Sequence, residues 1–355
     1  MDSSEDQTID NDQTNETNKQ SRPRRRRRGW IIGGIVAVGL LMLTAASVAL
    51  VLLVGLGEGG GGSASGAITY EEEYVFGEGD QKIATIPIEG PILPADSSLA
   101  GATPTTTPDG LRDALQQAEE DDSVEAVILE INSPGGGVTA SDQMYNLIRD
   151  FKDSADKPVV VSMGSVAASG GYYISTAADE IVANATTTTG SLGVVLPLND
   201  FTNLKDTIGI DRRFVTSGEF KTIGSPWTEL NQQEREILQS YVNESFDQFV
   251  QVIVEGRNLS EERVREVADG RIYSGKQAQD LDLVDELGDL EKAAEVSRDR
   301  ANLEEARVVR YVQTPGLGSL LQARLGSERS ETRQLIEETG LDIEGVPYYL
   351  YLPGR

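Results

Sequence analysis

No histidine and no cysteine occur among the 355 residues. Without histidine, a serine–histidine–aspartate triad cannot be built. Without cysteine there is no thiol nucleophile and no disulfide, and the two absences together exclude zinc sites of the usual His and Cys ligands. Positive charge is also scarce. Lys and Arg number 31 against 58 acidic residues, for a net charge of -27. Such a surface repels nucleic-acid phosphates and argues against nucleic acid as a partner. Carboxylates in this excess keep a chain soluble, and salt that screens their repulsion suits a halophilic composition. Only eight of the basic residues are lysines, so few amines are available as a general base.

Where charge is missing locally, the chain is long and apolar. Trp30 to Leu56 holds no charged residue over 27 positions. As a helix this run would reach roughly 40 Å, enough to span a bilayer with tilt. A buried core helix and a cleaved signal peptide are the rival readings. The run is about twice the length of an ordinary signal-peptide core, and the polar stretch before it is long. Seven basic residues, Lys19, Arg22 and Arg24 to Arg28, precede the run, and the next one after it is Lys82. The positive-inside rule then predicts a cytoplasmic N-terminus and an extracellular remainder on a single-pass anchor. The expected organisation is a disordered cytoplasmic tail with its arginine cluster (1–29), a transmembrane helix (30–56), a Gly-rich linker (57–81), a catalytic domain (82–312) and a tail of unassigned role (313–355).

The body alternates between strand and helix signals. Strands are expected at 82–88, 124–131, 158–163, 181–183, 191–196 and 213–216. Helices are expected at 109–120 with Asp109 as N-cap, and at 139–151, 168–178, 229–257 and 260–268. This alternation predicts an α/β domain with a largely parallel sheet covered by helices.

Two strand–turn–helix junctions are rich in glycine. The first is Asn132-Ser133-Pro134-Gly135-Gly136-Gly137, and the second is Ala168-Ser169-Gly170-Gly171-Tyr172-Tyr173. Acyl transfer needs a nucleophile, a base and donors aimed at the developing oxyanion. Ser169 at a helix start is the candidate nucleophile. The Gly170 N–H and one from the 135–137 turn are candidate donors. Lys221, in Gly218-Glu219-Phe220-Lys221, is the candidate base, because a desolvated lysine can be neutral near pH 7 to 8. The plainer readings are a surface lysine and glycines that only let helix and sheet approach. Neither turn has the spacing of a phosphate-binding loop.

Five ordered blocks carry a resemblance. They are Asn132 to Val138, Ser162 to Ser175, Thr189-Gly190-Ser191-Leu192-Gly193-Val194, Ser217 to Lys221, and Gly270-Arg271-Ile272-Tyr273-Ser274-Gly275-Lys276-Gln277-Ala278. Together they resemble the signal peptide peptidase A family, in its short form with one catalytic domain. The resemblance implies a Clp-protease/crotonase-like fold of repeated ββα units and a serine–lysine endopeptidase. It implies Ser169 as nucleophile, Lys221 as general base, Ser191 as the group orienting the lysine, and Gly136 and Gly170 as the oxyanion hole. The dyad is expected to close within one protomer of a ring- or dome-shaped homo-oligomer. No metal or cofactor is implied. The implied substrates are remnant signal peptides and other hydrophobic membrane-derived segments. Alternatives are a peptidase with the same dyad working beside stomatin-like partners, a crotonase-type acyl-CoA enzyme, and a catalytically dead scaffold. The presence of both Ser169 and Lys221 disfavours the scaffold, and a polyanionic coenzyme A ligand matches this acidic chain poorly.

Overall fold

A computed structural model describes residues 70–94 and 105–313, together with the backbone of 348–350. The expected transmembrane helix, the arginine cluster and most of the C-terminal tail lie outside the described residues. Among the described residues no helix is long and apolar enough to cross a membrane.

Three strands form the centre of the sheet: β2 (Lys82–Glu89), β3 (Val124–Ser133) and β5 (Val159–Ala168). All three pair in parallel. Their β-branched runs are nearly continuous because both faces are covered. Ala84, Ile86, Ile88, Val127, Leu129 and Ile131 point to one apolar layer. Their alternating neighbours Ile83, Ala126 and Ile128 point to the other. The first layer packs under helices α1 (Pro108–Glu120) and α2 (Val138–Ala155). The second is closed by Ala293, Ala294 and Val296 of a later helix, Leu290–Ala301.

β6 (Glu180–Ala183), β7 (Thr188–Gly190) and β9 (Glu286–Leu287) extend the sheet in parallel beyond β5, and β8 (Ile272–Ser274) adds antiparallel to β7. On the other side β10 (Arg307–Gln313) pairs in parallel with β2. The result is a mixed α/β sheet, consistent with a Clp-protease-like fold. Between β5 and β6 lies α3 (Gly170–Ser175). Further on come α4 (Thr202–Ile208), α5 (Gln232–Arg257), α6 (Glu261–Val267) and α7 (Gly275–Asp280), before α8, the Leu290–Ala301 helix.

Several local expectations are corrected. The first strand is β1 (Tyr70–Phe76), inside the stretch expected as linker, and it pairs antiparallel with β10 at the sheet edge. Its Tyr-Glu-Glu-Glu-Tyr sequence has no apolar alternation, because most of an edge strand faces water. Thr107, not Asp109, caps α1, with Pro108 in the first turn. The expected strand at 191–196 is instead β7, three residues earlier, and 213–216 forms no strand. The helix expected at 168–178 shrinks to α3 because the strand continues to Ala168.

Candidate active site

Both glycine-rich turns lie at the C-terminal ends of adjacent parallel strands. After β3, Pro134 leads into Gly135, whose φ of 95° only glycine adopts easily. Residues Gly135–Gly137 form a short strand, β4, before α2. The Ile92 N–H donates to the Gly135 carbonyl at 2.9 Å, and the Gly137 N–H donates to the Ile92 carbonyl at 3.0 Å. Backbone groups of successive residues alternate in direction along a strand. The N–H and C=O of Gly136 therefore face the opposite edge. There a C-terminal strand, β11 (Tyr348–Leu350), runs antiparallel with Tyr349 opposite Gly136. A side chain at Gly136 is excluded on the inner side, since a Cβ would lie 2.7 Å from the Ile92 carbonyl carbon and closer still to its oxygen.

After β5 the chain turns sharply at Ser169, with φ 53° and ψ -116°. A serine held there is strained, and such strain persists only where surroundings fix it. The Ser169 N–H donates to the Gly190 carbonyl at 2.8 Å, and the Tyr173 N–H donates to the Ser169 carbonyl at 2.8 Å. β7, which supplies Gly190, is tied to β5 by the Thr189 hydroxyl donating to the Ala167 carbonyl at 2.6 Å. The Tyr173 hydroxyl donates to Asp142 on α2 at 2.8 Å and holds α3 against that helix.

The Ser169 hydroxyl is buried and has no hydrogen-bond partner among the described residues. Gly170 brings the two turns together. A Cβ on it would lie 3.1 Å from the Gly136 nitrogen and 3.2 Å from the Gly135 Cα. The next glycine, Gly171, is also required, since its Cβ would lie 2.9 Å from the Ser133 carbonyl oxygen. The Gly136 nitrogen thus lies against Gly170, the residue that follows the serine. The N-terminus of α2 follows directly after Gly137. It has no side-chain cap and no acidic residue in its first turn, in a chain with 58 acidic residues. The positive end of such an uncapped 18-residue helix favours negative charge near it.

Ser191 follows Gly190 directly and also has a positive φ, 53°, with its N–H donating to the Arg271 carbonyl at 2.7 Å. It lines a cavity of about 350 Å³ with Val194, Phe246 and Asp269. Four of the expected site residues, Ser169, Gly136, Gly170 and Ser191, therefore belong to one neighbourhood. Lys221 makes no hydrogen bond to Ser169 among the described residues. It is exposed and lines a separate cavity of about 730 Å³ with Leu198, Phe214 and Trp227. What sequence reading missed is the role of Ile92, which fixes β4 from outside both glycine motifs. A lone apolar residue before a loop carries no signal for that role.

The family model for peptidase family S49 matches residues 151–304, and the Clp protease model matches 101–191. A protein named signal peptide peptidase SppA in Enterococcus faecium is 32% identical over 290 residues, which cover 79% of this chain and 84% of that one. A protein named as a protease in Synechocystis is 38% identical over 265 residues, covering 71% of this chain and 94% of the relative. Protease 4 of Haemophilus influenzae is 35% identical over 221 residues, but these span only 35% of its own length.

Proposed function

Since the chain belongs to the peptidase S49 family of signal peptide peptidase A and is a serine peptidase, we propose that it is a membrane-anchored endopeptidase using a Ser169–Lys221 dyad. The observation that carries this reading is the strained, buried Ser169 beside the Gly136 and Gly170 amides, with an extended strand already paired along β4. A substrate peptide adds in the same way as residues 348–350, antiparallel to β4. Main-chain bonds give it affinity without a demand on sequence. Its scissile carbonyl then comes to the Gly136 N–H.

Lys221 takes the proton from the Ser169 hydroxyl as the oxygen attacks the carbonyl carbon. The oxyanion that forms is held by the Gly136 and Gly170 N–H groups. On collapse the C–N bond breaks, and the lysine returns the proton to the leaving amine. Water, deprotonated by the same lysine, then cleaves the acyl-serine ester. Ser191 orients the lysine amine. The uncharged 30–56 run anchors the enzyme, with the catalytic domain outside the cell, and hydrophobic membrane-derived segments such as remnant signal peptides are its substrates. The stretch around Lys221 leaves Val195, Leu198, Leu204, Ile208, Ile210, Phe214 and Val215 exposed, and α4 buries nothing. That surface supports assembly into a homo-oligomer, which would also desolvate the lysine.

Labelling with a serine-reactive fluorophosphonate tests the reading. The wild-type protein should label, and Ser169→Ala should not. A Ser169→Ala variant that labels as strongly as wild type rules out Ser169 as the nucleophile.

A further inference from the structure

Ser141 sits on α2 one turn after β4 and is fully buried. Among the described residues, the other three buried serines within helices, Ser175, Ser245 and Ser297, all donate to the carbonyl four residues earlier. Their distances are 2.7, 3.1 and 2.8 Å. That is the ordinary way to satisfy a hydroxyl inside a helix. Ser141 does not do it, and its hydroxyl has no partner among the described residues. Its oxygen instead stands where a Cβ on Gly170 would come within 2.5 Å of it, a point that is 3.1 Å from the Gly136 nitrogen. Ser141 thus lies against Gly170, the residue next to Ser169, and these two carry the orphaned serine hydroxyls among the described residues.

If this position only filled space, alanine would fill it better, because a buried hydroxyl without a partner is destabilising. The rotamer that would bond the Gly137 carbonyl is forgone, and the proton is left unspent against Gly170, whose open side also faces the Gly136 nitrogen. We propose that Ser141 is a third donor of the oxyanion site, its hydroxyl hydrogen-bonding the oxyanion as the tetrahedral intermediate forms. This rests on the serine-peptidase reading of the site. The donor is idle in the free enzyme and engages only when negative charge develops, so it stabilises the transition state more than the bound substrate. It contacts the carbonyl shared by all peptides, so its loss slows every substrate by a similar factor.

The test compares wild type with Ser141→Ala on two unrelated peptides and with a peptide boronic acid, which forms a tetrahedral adduct on the serine. Ser141→Ala should melt no lower than wild type, since it removes an unpaired hydroxyl. Its kcat should fall about 100-fold on both peptides with KM unchanged, on the scale of a lost oxyanion donor. Its affinity for the boronate should fall by a like factor. Unchanged kcat and boronate affinity overturn the proposal, as does a kcat loss that only tracks loss of folded protein. If the alanine variant does not fold, Ser141→Cys decides: it keeps the shape with a feeble donor and should stay slow, whereas wild-type speed overturns the assignment. Fluorophosphonate labelling of the wild type is run alongside. A wild-type protein that does not label sinks the peptidase reading itself, whatever Ser141 does.

Discussion

At the scale of single residues, the base is the most exposed element of the proposal to test. No histidine exists to deprotonate Ser169. A guanidinium does not deprotonate in the working range, so Lys221→Arg should keep the fold and lose nearly all turnover. Ser191→Ala, which only loosens the lysine's orientation, should lose less. Steady-state kcat for the two variants, with circular dichroism to confirm folding, checks the order; an arginine variant with substantial turnover would return the search for a base to the carboxylates. Gly136 offers no comparably clean experiment. The residues suggest that a side chain there would only crowd the substrate, but its Cβ would collide with the backbone of Ile92. A substitution at Gly136 therefore tests folding before it tests catalysis.

Individual elements carry two further expectations. The junction of α1 with β2 and β3 is pinned by Asp121, which accepts hydrogen bonds from Ser123 and Lys82. Burial alone would raise its pKa, but those bonds and the Lys82 charge outweigh it and hold the carboxyl at about 2, against 3.8 ordinarily. A group with its folded pKa depressed adds stability that is fully present above the unfolded pKa and lost as pH falls through the folded one. Stability from this junction should decline between about pH 4 and pH 2. Asp121→Asn should be less stable at pH 6 and show a flatter decline in that window, read by thermal denaturation. A variant whose acid profile matches wild type would mean the junction contributes nothing. The second expectation concerns β11. Its pairing with β4 occupies the edge on which a peptide would add. An intramolecular strand competes at high effective concentration, so a chain ending at Gln313 should show a several-fold lower peptide KM with kcat retained. Equal KM values would mean that the strand leaves the edge readily.

For the molecule as a whole, the central fact is that among the described residues no hydrogen bond links Lys221 to Ser169. The lysine's segment is exposed and apolar, while the serine is buried and unpartnered. A second copy covering that segment can supply the missing base. Mixing Ser169→Ala with Lys221→Ala chains before assembly should therefore restore turnover that neither variant has alone. A mixture as inactive as its components would place both halves of the dyad in one chain.

The parallel α/β core was legible because strands covered on both faces must be largely apolar, as the runs at 124–131 and 158–163 are. The glycine turns were legible because only glycine fits Gly135's positive φ and the contacts of Gly170 and Gly171. The absence of histidine by itself narrowed the chemistry to a lysine base or a carboxylate. The strand β1 was not legible, since an edge strand facing water needs no apolar alternation. Neither were the anchoring of β4 by Ile92, the meeting of Ser141 with Gly170 and the exposure of Lys221. Each of these depends on segments far apart in the chain meeting, or failing to meet, in space. Local sequence fixes what a residue can do chemically, while its neighbours are fixed only when the whole chain has packed.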